Sequence, residues 1–223
     1  MPADTTSTSF RPNTIADDLQ HTLRVSLFSG GYAPGQKISI RKLAEEHDVS
    51  VIPARDALRA LVAEGVLAFT DSRTIAVPVP DAQRLSDIRF ARTSLECELA
   101  RRAFPRFSAT ERAALRSIDH ALDQAIEDND IRAYAQGNFD FHFYIYKRAE
   151  ASVMLNLVET LWMLYAPSMR EVCTMYGATN IAHDYHRAAM TALDQGDEDA
   201  FVDAIANDIA QGMDFIEAGG HQN

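Results

Sequence analysis

Cysteine is scarce in this chain of 223 residues. There are two, Cys97 and Cys173, far apart and without the spacing of a ligand pair. That argues against a disulfide framework or a thiolate metal cluster, and leaves both as small buried hydrophobes in a reducing cytosol. Long apolar runs are missing too. The longest, at 157–169, is interrupted by Glu159 and is too short to span a bilayer, so no membrane partner is expected. The opening MPADTTSTSF holds neither a basic nor an apolar region and does not read as a signal peptide. Residues 1–12 read instead as a flexible arm, and no internal repeat is visible. An overall excess of positive charge is also absent: 21 basic residues face 32 acidic ones, for a net charge of −11. The distribution qualifies this. Residues 1–80 carry 8 basic and 9 acidic side chains, whereas the remainder carries 13 and 23. A DNA reader needs a local basic face rather than a basic whole, so nucleic acid stays open for the first third.

What is present is an ordinary globular composition, 47% apolar and 24% charged, long enough for one large domain or two modest ones. Residues 14–29 predict an amphipathic helix, with Thr14 and Asp17 as a capping box, a stripe of Ile15, Leu19, Leu23 and Leu27, and Gly30-Gly31 as the stop. After the Pro34-Gly35 turn, a short helix is expected over 40–47. Ser50 can cap another running to about Glu64, with Pro53 in its first turn and Gly65 ending it. Two β-type runs, 66–69 and 74–79, flank the turn Thr70-Asp71-Ser72-Arg73. Helix, helix, turn, helix and hairpin make a winged helix-turn-helix over 13–80. From Asp81 the periodicity is helical, with segments at 82–104, 108–127 (capped by Ser108 and Glu111), 131–150, 152–165, near 166–177, 180–195 and 198–217. The fold class is therefore mainly α: a winged helix-turn-helix followed, over 81–218, by a six- or seven-helix bundle.

The stretch GYAPGQKISIRKLAEEHDVSVIPARDALRALVAEGVL resembles the GntR family of bacterial transcriptional regulators. It carries the PG turn, the LA pair and the pattern VS-x-x-P-x-R-x-AL-x-x-L-x-x-EG. The resemblance implies a recognition helix at 50–64 whose N-terminal turn enters the major groove. By position, Arg41 and Arg55 match the family's DNA-contacting arginines, and Arg73 lies at the wing tip. Lys42 and Arg59 are candidates for phosphate contact, and Arg55 for bidentate reading of guanine. Where the family often has Ser-Arg-Thr-Pro, this chain has Ser50-Val51-Ile52-Pro53, so Val51 and Ile52 are placed to meet thymine methyl groups and the salt dependence should be shallower.

The helical part resembles the FadR-type ligand domain, often called FCD, of the same family. Arg92-Thr93-Ser94-Leu95-Glu96 fits R-x-x-L-E, Asn138-Phe139-Asp140-Phe141-His142 fits N-x-x-F-H, and His186 with Gly196-Asp197 fits the closing H…GD pattern. The resemblance implies a divalent metal in the bundle and an organic-acid effector at or near it. Asn138 and His142 are i, i+4 on one helical face. His186 precedes Gly196 by ten residues and Asp208 follows it by twelve. In a helical hairpin the two lie about 15 and 18 Å from the turn. Asn138, His142, His186 and Asp208 are thus the candidate metal ligands, with Asn138 and Asp208 standing where the family often has Asp and His. Such an oxygen and nitrogen set suits zinc, nickel or manganese. Arg92 is the expected partner of an effector carboxylate. His183, one turn before His186, is placed to support or replace a ligand but reads as a surface residue, while His21, His47, His120 and His221 read as solvated. The function expected is a cytoplasmic, homodimeric, ligand-responsive regulator, a repressor of a catabolic operon sensing a small carboxylate. Its two winged helices would read a roughly palindromic operator in successive major grooves about 34 Å apart. Two alternatives use the same residues: a metal-responsive regulator without organic effector, and a metal-dependent hydrolase or isomerase fused to a DNA-binding domain. No additional general base is evident, so the chain is not read as an enzyme.

Overall fold

The computed structural model describes residues 14–29, 31–71, 74–168 and 184–220. Arg73, Cys173, His183, His221, the N-terminal arm and most of the segment near 166–177 lie outside them. The first domain opens with α1 (Ile15–Phe28), capped reciprocally: Asp17 N–H donates to Thr14 Oγ1 at 3.2 Å and Thr14 N–H to Asp17 Oδ2 at 2.9 Å. Its apolar stripe, Leu19, Leu23 and Leu27, is buried against α3 (Val51–Ala63), with α2 (Ile40–Glu46) beside it. The chain passes between α2 and α3 through Asp48 in the left-handed region. Gly65, at φ +75°, ends α3, a conformation that a Cβ would strain.

The wing contains one more strand than the periodicity indicated. β2 (Ala68–Phe69) and β3 (Ile75–Ala76) form the expected hairpin, and β1 (Lys37–Ile38) adds to its far edge. The antiparallel order is β1-β3-β2, with Lys37 and Ala68 both opposite Ala76. Two residues are too few for an alternating pattern to register, so β1 is a product of tertiary pairing.

Six helices follow among the described residues: α4 (Ala82–Ala103), α5 (Ala109–Glu127), α6 (Ile131–Tyr146), α7 (Ser152–Tyr165), α8 (Tyr185–Gln195) and α9 (Glu198–Gly220). The capping box of α5 forms as expected, Glu111 N–H donating to Ser108 Oγ. The run at 131–150 breaks at Tyr146 into a 3₁₀ turn and a left-handed Glu150. In the bundle, α9 packs on α4 and α8, α5 on α6, and α7 on α4. Trp162, Tyr146, Tyr165, Phe141 and Phe143 are fully buried at its centre. No described helix is long and apolar enough to cross a membrane.

Candidate functional site

The outward face of α3 is defined by what its inward face buries. Ala54, Ala57, Leu58 and Leu61 recur at i, i+3, i+4 and i+7 and are all buried, which turns Val51, Ile52, Arg55 and Arg59 to solvent. Arg41, Val51, Arg55 and Arg59 line one concave surface of about 420 Å³, closed on its far side by Phe69 and Ile75 of the wing. Among the described residues none of these three arginines is matched by a carboxylate. Exposed, unneutralised guanidinium groups on a concave face are suited to a phosphate backbone. Lys42 is not brought to this surface; it lies 3.4 Å from Glu46 and lines a separate concavity. Its i, i+4 spacing with Glu46 along α2 accounts for the pairing. Ile52 is 69% exposed but stands outside the concave lining. Ser50 takes the N-cap position of α3, yet its hydroxyl makes no capping hydrogen bond.

The second site lies inside the bundle. Asn138, His142 and Tyr146 follow one another at single-turn intervals on α6, while α8 brings His186 and α9 brings Asp208. Gly196, at φ +71°, turns α9 back along α8 and sets the last two side by side. His142 Nε2 lies 3.0 Å from Asp208 Oδ2, and His186 Nε2 lies 3.6 Å from Asp208 Oδ1. One ligand atom from each of the three residues falls within 4.8 Å of the others. Asn138 lines the same cavity as His186 and Asp208, so the structure gathers all four candidate ligands.

Hydrogen bonding fixes the imidazole tautomers. Tyr146 OH donates to Glu96 Oε2 at 2.7 Å, so its oxygen accepts from His142 Nδ1 at 3.0 Å. Likewise His186 Nδ1 donates to Asp119 Oδ1 at 3.2 Å. In the neutral rings both Nε2 atoms then carry lone pairs. Both are buried, both face the Asp208 carboxylate, and neither makes a well-directed hydrogen bond. Two lone pairs aimed at an acceptor-only carboxylate need a cation between them. The donor set therefore fits a divalent metal held by His142, His186 and Asp208, with Asn138 beside it.

The electrostatics of the three groups differ. Burial pushes the His142 pKa down, and the Asp208 contact only partly offsets this, so the ring stays neutral. For His186 burial acts the same way, but the Asp208 and Asp119 carboxylates outweigh it and the pKa rises. Burial would raise the Asp208 pKa; the two imidazoles and Arg92 overcome it and hold the carboxyl at about 2.

Arg92, the expected partner of an effector carboxylate, donates from its Nε to Glu96 Oε1 at 2.7 Å. Its guanidinium stacks 4.2 Å from the Tyr165 ring and 4.9 Å from that of Trp162. A guanidinium this deeply buried needs a charged partner, and Glu96, one turn along α4, supplies it. The residues that the sequence reading missed are Asp119 and Tyr146. Tyr146 continues the 138, 142 face of α6. Asp119 interrupts the buried stripe of α5 between Leu115 and Leu122, where a carboxylate without a role would be costly.

A winged helix-turn-helix with an arginine-lined recognition face, joined to a helical bundle with a buried polar centre, defines a DNA-binding transcriptional regulator. The chain belongs to the GntR family of bacterial regulatory proteins, which residues 15–77 match, and residues 87–211 match the FCD domain. The HTH-type transcriptional regulator McbR of Escherichia coli is 28% identical over 189 residues, covering 81% of this chain and 82% of that protein. A probable D-xylose utilization operon transcriptional repressor of Paenarthrobacter nicotinovorans is 22% identical, covering 99% and 95%. Among solved structures, E. coli McbR superposes with a TM-score of 0.82 at 23% identity, over 93% of this chain and 99% of that one. A GntR regulator from a Rhodococcus species superposes at 0.76 and 17%, over 91% and 97%. These two likenesses concern the fold. The relatives are regulators, and this chain is a regulator rather than an enzyme.

Proposed function

We propose that this regulator is a cytoplasmic, homodimeric repressor of the FadR type, controlling a catabolic operon and sensing an effector beside a bound divalent metal. The domains are divided at about residue 80, with DNA binding before it and sensing and dimerisation after it. The observation that carries the sensing role is the pair of buried, unpartnered Nε2 atoms of His142 and His186 facing Asp208 next to a cavity of about 170 Å³. A purely structural core would fill such a volume or satisfy such atoms. Zinc, nickel and manganese all accept this imidazole and carboxylate set. Arg55, Arg41 and Arg59 supply the DNA contacts, with Val51 toward the bases; a two-fold dimer places both recognition helices on one face of the duplex. The name of the D-xylose relative supports a catabolic repressor.

Two measurements test this reading. The purified chain should retard DNA from upstream of its own gene at low salt, and Arg55→Ala should abolish most of that shift. Calorimetry should detect one zinc ion per chain in the wild type and none in His142→Ala. A chain that retards no such fragment is not the repressor proposed, and an unchanged zinc isotherm in His142→Ala removes the metal.

A further inference from the structure

The wing presents an aromatic ring at the edge of the cationic surface beside α3. Phe69, the last residue of β2, pairs with Ile75 of β3, and side chains directly opposite in an antiparallel ladder share one face of the sheet. On that face Ile75 is 1% exposed, whereas Phe69 is 51% exposed. The phenyl ring is thus on the inner side of the hairpin but lies beyond the edge of the core. The turn that follows holds it there: Thr70 N–H donates to the Thr74 carbonyl at 2.9 Å, and Thr74 N–H to Asp71 Oδ1 at 2.8 Å. The ring shares its concavity with Arg41 of α2 and with Arg55 and Arg59 of α3, and Ile40 and Val51 add apolar surface to it. A lone exposed phenylalanine is ordinary on a soluble protein. This one is set apart by the guanidinium groups converging on the same hollow, none of them matched by a carboxylate among the described residues.

We propose that Phe69 positions the DNA, its ring packing against the deoxyribose of the strand whose phosphates the arginines hold. A nucleic-acid strand alternates charged phosphates with uncharged sugars, so a hollow lined by guanidinium groups alone would leave the sugar carbons in water. A small anion, by contrast, would have no use for the apolar part of this lining. The other way an apolar side chain meets DNA is at a base edge, through the methyl group of thymine. That contact suits Val51, in the first turn of α3, because this turn is the one aimed into the major groove. Phe69 lies on the wing strand across the hollow, and a DNA strand running between the two presents backbone rather than base edges to the ring. Contacts to phosphate and sugar set register and orientation and carry no sequence information. The ring therefore adds affinity that depends neither on sequence nor on salt. This inference rests on the reading of the concave face as the DNA face, and gives that face an anchor that is neither charged nor base-reading.

The test titrates the full chain against two duplexes of equal length, one from upstream of its own gene and one unrelated in sequence, between about 50 and 200 mM salt. Phe69→Ala should weaken binding to both by the same factor, about threefold to tenfold, the scale for uncovering half an aromatic side chain. The slope of log affinity against log salt should stay that of the wild type. Phe69→Leu, which keeps most of the apolar surface, should recover most of the loss. Phe69→Arg should steepen the slope by about one phosphate contact, because it puts a cation where the strand passes. Thermal unfolding should be unchanged, since a ring already half in water supports little of the core; if Phe69→Ala unfolds early, the leucine and arginine variants carry the same comparison. Wild-type affinity of Phe69→Ala for both duplexes overturns the proposal, as do a loss confined to the upstream fragment, a flatter slope in Phe69→Ala and an unchanged slope in Phe69→Arg. Arg55→Ala, titrated alongside, reports on the face itself. A loss there with none in Phe69→Ala overturns the sugar contact alone, and no loss in either removes the DNA face and the contact together.

Discussion

Tyr146 has one proton and two neighbours able to take it. Glu96, a buried carboxylate, receives it, and His142 is thereby made the donor in the other bond. The hydroxyl sets which imidazole nitrogen faces Asp208, so removing it should loosen the metal without opening the core. Tyr146→Phe is expected to weaken zinc binding by about 10- to 100-fold while the melting temperature of the metal-free protein moves little; parallel calorimetry and thermal unfolding check both halves. Glu96→Ala should behave differently. It strands the Arg92 guanidinium in the core, and urea unfolding should show a loss of about 3–5 kcal/mol. The sign of the pH effect follows from His186, whose pKa is raised. Below that pKa the metal-free ring holds a proton between Asp119 and Asp208, which an ion must displace. Zinc affinity should then fall by about tenfold per unit of decreasing pH, beginning above the ordinary histidine range. His142, with its pKa lowered, adds no such competition there. An affinity that is flat between pH 6 and 8 would refute this assignment.

At the scale of the element, α3 shows what a sequence can convey. Its apolar spacing, its glycine stop and its proline in the first turn are local signals, and the helix appears within a residue of the expected bounds. The α8–α9 hairpin was equally legible, because the distances of His186 and Asp208 from Gly196 convert directly into height along antiparallel helices. What escaped notice depends on partners distant in sequence. β1 exists only through β3, and Asp119 meets a histidine 67 positions away. The recognition face carries the element's own prediction. Arg55→Ala should cost about 1–3 kcal/mol of operator affinity in a retardation titration. Val51→Arg should steepen the salt dependence by about one phosphate contact. Lys42→Ala, off the concave face and tied to Glu46, should leave the titration nearly unchanged.

The two halves of the molecule meet through aromatic rings. Phe28 ends α1, in the DNA-reading domain, yet its ring lies 4.8 Å edge-on from Phe139 and 6.2 Å from Trp162, both in the bundle. Trp162 lies 5.2 Å from the His142 ring, and Phe139 sits less than one turn before His142 on α6. Nearby, Arg84 of α4 donates to the Gly65 carbonyl at the end of α3. A metal held by His142, His186 and Asp208 would therefore lie one ring away from the residue that seats α1, and α1 in turn supports α3. Trp162 is the chain's single tryptophan, which makes it a reporter on both sides. Its fluorescence should change when zinc is added and change again when operator DNA is added. Phe28→Ala should preserve the first response and abolish most of the second. Linkage requires the converse as well: if zinc alters operator affinity, operator must alter zinc affinity by the same factor, and Phe28→Ala should shrink both together. Equal zinc affinities with and without operator in the wild type would show that the contact joins the domains without coupling them.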